Sequence, residues 1–270
     1  MIMKQLEVLL EFKEWLTFRV KRFISIGLVI MGIFSAGLFF LPIMLRLVYA
    51  AVFTTLTFVP VLTTVQMVTG SVIMQVRLLL YNRKHKPRVE IWPEVKEMAN
   101  KMRIKHNGEI YFTLNPLVRG PFVNLYTKKI TVPESWFAKF HRSEIVAAIG
   151  HELGHIRGAK RLAYEMLLVT VTPIVFSFVF TLVAVLLGLP VIPIFLQVTT
   201  FTLMLLLLSF VLWRNEYRAD LYGALVTGPE PLIAVFEALQ EDVNVHKKDE
   251  GTDTHPPTRA RIKRLMTLMV

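Results

Sequence analysis

The sequence has no cysteine in its 270 residues. That absence excludes a disulfide framework, a thiolate zinc finger and a cysteine nucleophile, and leaves His, Asp and Glu to hold any metal. Charge is also scarce. Charged residues make up 19% of the chain and hydrophobic residues 54%, where an ordinary soluble domain has about 25% and about 45–50%. Such a balance fits neither a disordered chain nor an ordinary soluble protein. Acid is the scarcer sign: 20 Asp and Glu stand against 31 Lys and Arg, for a net charge of +11. In so apolar a chain a basic surplus points to anionic lipid before nucleic acid, and no nucleic-acid-binding pattern competes with that reading.

The scarce charges leave four uncharged runs, at 23–45, 47–69, 166–188 and 189–213. About 20 apolar residues cross a hydrocarbon layer of roughly 30 Å, so the runs predict four transmembrane helices in two tight hairpins. Pro60 interrupts the second span, and apolar character continues through Val72–Leu80. Lys and Arg number five in 1–22, seventeen in 77–161 and eight in 214–270, against one and none in the hairpin loops. The excess places both termini and the middle block on the cytoplasmic side. The first apolar run is too long for a cleavable signal peptide. Residues 1–22 interleave Leu6, Leu9, Phe12, Trp15 and Leu16 with Lys4, Glu7, Glu11, Lys13 and Glu14, an amphipathic pattern suited to a membrane surface. The chain thus divides into 1–22, a hairpin at 23–80, a polar block at 81–165, a hairpin at 166–213 and a polar block at 214–270.

Together the polar blocks are large enough for one domain but not two, and both hairpins return the chain to the same face. In the stretch 94–106, Val95, Met98, Ala99 and Met102 repeat with helical spacing. Asn107-Gly108 marks a turn. Ile110–Leu114, Phe122–Tyr126 and Lys128–Val132 read as strands, the last closed by Pro133. A helix is expected from Ser143 onward. The segment 244–256 is polar and is expected to be mobile.

At 151–155 the sequence reads His-Glu-Leu-Gly-His. Positions i and i+4 share a helix face, so His151 and His155 can reach one ion. Glu152 lies about 100° round the axis, within reach of an attacking water without being a ligand. A hydrolytic zinc needs three protein ligands. The longer form of the motif would supply a histidine at 161, but Arg161 stands there. The candidate is Glu216 in Asn215-Glu216-Tyr217-Arg218-Ala219-Asp220, where Glu216 can bind zinc while Asp220, on the same helix face, orients an imidazole. The plain alternatives are a pair of surface histidines and a charged turn past a membrane span; the two segments together favour the metal. Both ligands would lie within roughly 5–15 Å of the membrane surface at 1.5 Å per helical residue. Gly154 costs about 1 kcal/mol relative to Ala inside a helix. A close approach by the Glu216 helix or by substrate would explain it, and so would a merely tolerated glycine.

HELGH, a membrane hairpin, EYRAD and then THPPTRARIKRL together resemble the HtpX-like membrane zinc metallopeptidases, gluzincins distantly related to the CAAX prenyl proteases. The resemblance implies a mainly α integral membrane protein with one small α+β zincin-like domain on the cytoplasmic side; the compact four-span form favours a prokaryotic plasma membrane over an organelle. It implies one Zn2+ per chain held by His151, His155 and Glu216, with Glu152 as general base and Asp220 behind the ligands. His255 matches a histidine that stabilises the oxyanion, and Arg261 an arginine that lines the site. The family's Asn-Ala-Phe-like edge strand aligns with Gly120-Pro121-Phe122, where only Phe122 is kept. An edge segment of Arg119, Gly120, Pro121, Phe122, Val123 and Asn124 would take up the substrate backbone, since Pro is tolerated on an edge strand. The implied substrates are proteins or peptides, above all misfolded or damaged membrane proteins. A processing protease for a defined tail is the neighbouring reading, and a non-catalytic zinc scaffold the distant one. Transport is disfavoured because the spans carry no ionisable residue inside, with Arg46 and Glu165 at their ends. Nothing in the sequence specifies an oligomeric state.

Overall fold

A computed structural model describes residues 81, 87–116, 118–186, 192–243 and 255–269. The chain divides into two compact units. One comprises Met1–Ile73 and Tyr164–Val211; the other comprises Met74–Ala163 and Leu212–Val270. The spans expected at 23–45 and 47–69, and the amphipathic 1–22, lie outside the described residues. Those at 166–188 and 189–213 are described in part. Among the described residues no helix is long and apolar enough to cross a membrane.

The second unit holds a four-stranded sheet, β1 (Arg88–Ile91), β2 (Glu109–Thr113), β3 (Phe122–Val123) and β4 (Ile130–Pro133), in the order β1-β2-β4-β3. β2 and β4 run parallel, with Ile110 opposite Ile130 and Phe112 opposite Val132. β1 and β3 pair antiparallel on either side. Alternate side chains of a strand share a face. Ile110, Phe112, Ile130 and Val132 accordingly enter one core with Trp92, Val95 and Met98.

α1 (Pro93–Lys101) covers that face. Proline at its first position lacks an N–H that would have no helical partner anyway, and Glu94 and Lys101 suit the positive and negative helix ends. The helix stops short of the expected 106 because Arg103 turns left-handed (φ 57°). Arg103 N–H then donates to Asn100 and Ile104 N–H to Ala99, the paired bonds of a Schellman ending. Gly108 follows at φ 87°, and a Cβ there would lie 2.8 Å from the Trp92 carbonyl.

Two strand expectations need correction. The strand expected over Phe122–Tyr126 ends at Val123, because the Asn124 side chain accepts from the Tyr126 and Thr127 N–H groups and turns the chain. The strand expected from Lys128 begins at Ile130, because Lys128 is left-handed (φ 57°). Of the expected 119–124 edge segment, only Phe122 and Val123 are strand. β1 was not anticipated; its Arg88, Val89 and Ile91 are exposed, so burial leaves no pattern to read.

α2 (Trp136–Lys139) leads into α3 (Arg142–Leu186), whose start is fixed by the Glu144 carboxylate accepting the His141 N–H at 2.7 Å. α4 (Ile192–Thr227), α5 (Glu230–Val243) and α6 (Thr258–Met266) complete the described helices. The first three turns of α3 are buried on several faces. Ile145, Ile149 and Leu153 face the sheet core, and Ala147 joins Ala224, Leu232, Phe236, Ile262 and Leu265. A third face bears Gly150, Gly154 and Gly158, one turn apart, and meets Gly223, Ala219 and Asn215 of α4 in antiparallel register. The approach is so close that a Cβ at 154 would lie 2.8 Å from the Ala219 Cα and carbonyl oxygen. That contact accounts for Gly154.

Gly154→Ala is therefore expected to destabilise the fold by about 1–3 kcal/mol, as overpacking does. Gly150→Ala, whose Cβ finds its nearest neighbour at 3.4 Å, should stay within about 1 kcal/mol of the parent because alanine is the better helix former. Thermal denaturation of the two variants checks this; equal midpoints would contradict the seam.

Candidate metal centre

The seam sets three side chains against one another. His151 and His155 lie one turn apart on α3, with ring centroids 4.6 Å apart, planes nearly perpendicular and Nε2 atoms 3.0 Å apart. Glu216 comes across from α4, its Oε1 3.4 Å from His155 Nε2 and its Oε2 3.7 Å from His151 Nε2. One donor atom from each lies within 4.8 Å of the others. A tetrahedral shell with bonds of about 2.0–2.1 Å has edges of roughly 3.3 Å, and the separations here straddle that length. The donor set, two imidazoles and a carboxylate, fits a divalent cation with one position left for chemistry.

The other ring nitrogens are engaged. His151 Nδ1 lies 2.8 Å from Asp220 Oδ1, so the carboxylate accepts a hydrogen bond from Nδ1–H and leaves the Nε2 lone pair for the ion. His155 Nδ1 lies 2.9 Å from the side-chain amide of Asn215. Asp220 is in turn gripped by Arg261, whose Nε donates to Oδ2 at 2.8 Å and Nη2 to Oδ1 at 2.6 Å. Arg261 Nη1 also lies 3.4 Å from Glu216 Oε2, and the guanidinium covers the Phe236 ring. Glu216, Asp220 and Arg261 are all buried. Their charges are tolerable because they are paired with good geometry.

These contacts set the protonation states. Burial would raise the Asp220 and Glu216 carboxyls, but Arg261 reverses this and holds both below the usual carboxylate range. Burial, and then the charge of His151, push His155 down to about 4. His155 is therefore neutral at physiological pH, the form that binds metal. Burial pushes His151 down too, but the hydrogen bond and charge of Asp220 win and raise it. Burial lifts the Glu152 carboxyl to about 7, with His151 opposing and Glu216 adding to the effect. A carboxyl poised near neutrality suits a general base. Glu152 also takes a hydrogen bond from the Val123 backbone, which ties it to β3.

Residues 86–269 match the model of peptidase family M48. The chain belongs to that family. No curated protein matches it. The family makes residues 86–269 a metallopeptidase domain, and His151, His155 and Glu216 could hold a metal ion there.

Other expected site residues of this M48 peptidase fall as follows. His255 is exposed at the margin, its Nε2 3.7 Å from Glu216 Oε1. Arg261 is committed to Asp220 and Glu216 rather than left open toward a substrate. β3, like β1, is one of the two edges of the sheet. Before it, the Arg119 carbonyl accepts the Trp136 indole N–H, and Gly120 lies against the same ring. Asn215 was not singled out by the sequence reading. Its signal was the four-residue spacing Asn215, Ala219, Gly223, which mirrors Gly150, Gly154, Gly158.

Two outcomes follow for the metal-free protein. The Glu152 carboxyl lies above its ordinary 4.5, so its burial carries no charge penalty below that pH and the fold loses stability as pH rises toward 7. Relative to Glu152→Gln, the parent should lose about 3 kcal/mol across that window, measured by urea denaturation in chelator. Arg261→Leu strands two buried carboxylates and should cost about 3–5 kcal/mol near neutral pH. The loss should shrink in acid as the carboxyls protonate.

Proposed function

We propose that this M48 peptidase is an HtpX-like, membrane-integrated zinc endopeptidase that cleaves misfolded or damaged membrane proteins from the cytoplasmic side of a prokaryotic plasma membrane. The observation that carries the catalytic part is the buried His151, His155 and Glu216 cluster with Glu152 beside it, inside an M48 domain. The membrane part is supported by the four uncharged runs and by the bias of Lys and Arg to the segments outside them. It is supported too by the exposed apolar side chains of Leu167, Val171, Val175, Phe176, Val179 and Val183 on α3, because soluble proteins rarely expose so continuous an apolar strip.

Zinc bound by His151, His155 and Glu216 would supply Lewis acidity to the scissile carbonyl and lower the pKa of water. The rest falls to the chain's own groups. An extended substrate adds to the outer edge of the sheet at β3 and shares backbone hydrogen bonds with it. Glu152 accepts the proton of the attacking water and returns it to the leaving amine. His255, exposed beside Glu216, donates a hydrogen bond to the developing oxyanion. Asp220 keeps the Nε2 lone pair of His151 directed at the site, and Arg261 holds Asp220 and Glu216 in place.

The test is zinc content and casein cleavage of the detergent-purified protein beside Glu152→Gln. One zinc per chain in both is expected, with cleavage falling by about 10²–10⁴-fold in the variant. Undiminished cleavage by zinc-loaded Glu152→Gln, or no zinc in either protein, would overturn the proposal.

A further inference from the structure

The two histidines are held by different partners. His151 leans on Asp220, a carboxylate already claimed by Arg261. His155 leans on Asn215, a neutral amide one residue ahead of the Glu216 ligand. We infer that Asn215 is a positioning residue that fixes the ring orientation and tautomer of His155 through its side-chain oxygen. The inference rests on the metal site proposed above.

The argument is one of hydrogen-bond inventory. An imidazole that gives its Nε2 lone pair to a cation must carry its proton on Nδ1, and that N–H needs an acceptor. Asn215 is buried and lies 2.9 Å from Nδ1. The amide nitrogen faces Nδ1. A half-turn of the amide exchanges nitrogen for oxygen without moving the backbone, and only the oxygen can accept from Nδ1–H. The orientation of the amide and the tautomer of the ring are therefore coupled. Gly158 leaves room for the amide: a Cβ at 158 would lie 3.2 Å from Asn215 Oδ1. Because Asn215 and Glu216 are adjacent on α4, one rigid turn sets both a ligand and the support of another ligand. A neutral support adds no charge to a site that already holds Glu152, Glu216 and Asp220.

Zinc affinity of the full detergent-purified chain, measured by competition with a chromophoric chelator, tests this. Asn215→Leu keeps the branched shape and removes the acceptor. It should weaken zinc about 10–100-fold while the zinc-free melting temperature stays within a few degrees. Asn215→Asp restores an acceptor, at the cost of an added charge, and should recover most of that loss. Nitrogen-detected NMR of the zinc-loaded parent should place the His155 proton on Nδ1. Parent-like affinity in Asn215→Leu would overturn the inference and leave the metal site standing, provided His155→Ala loses zinc. Equal losses in the Leu and Asp variants would overturn it as well, since restoring the acceptor would then have restored nothing. A parent that binds no zinc would overturn the metal site itself.

Discussion

The close contact of α3 with α4 is the constraint on which the catalytic half of this protein depends. Helices whose contact faces carry ordinary side chains pack with axes about 8–10 Å apart. Here glycine at 150, 154 and 158 lets the α4 backbone rest on the α3 backbone. The His151 and His155 pair and Glu216 project from the flanks of that contact, so their separation is set by it. Short ligand side chains cannot span an extra ångström or two without leaving their rotamers. The helix cost of the glycines is thus offset by the convergence they permit.

Convergence brings charges together in a dry place, and Arg261 makes that tolerable. Two carboxylates within a few ångströms would otherwise hold protons and lose their value as a ligand and as an acceptor. The guanidinium grips Asp220 with two hydrogen bonds and reaches Glu216 with its third nitrogen, so both stay ionised. The planar fork of arginine can do this, and a lysine ammonium could not. The same desolvation outweighs the opposing charges of His151 and Arg261 at Glu152, which rises to about 7. One buried pocket thereby holds two carboxylates committed to charge and one able to exchange a proton.

Much of the site was legible in the sequence because its signals are local. His-Glu-Leu-Gly-His and Glu216 with Asp220 are spacings of four on a helix, and a helix converts such spacings into shared faces whatever the surroundings. Asn107-Gly108 and the buried set Val95, Met98 and Ala99 were legible for the same reason. Less legible were features decided by a side chain acting on backbone. Asn124 ended a strand by capping the next turn, and Arg103 ended a helix in a conformation that sequence normally assigns to glycine. β1 was invisible because its pairing with β2 buries little of its own side-chain surface.

The sequence by itself determined the chemistry on offer: no thiol, two histidines and two acids at helical spacing, a glutamate beside them, and long uncharged runs around them. Helical geometry is repetitive and local, so these could be read one segment at a time. Tertiary structure alone decided that Gly154 serves a helix contact, that Arg261 is bound to the acids behind the ligands, and that Asn215 supports His155. Each of those roles is a distance between segments dozens of residues apart in the chain, and no local pattern carries such a distance.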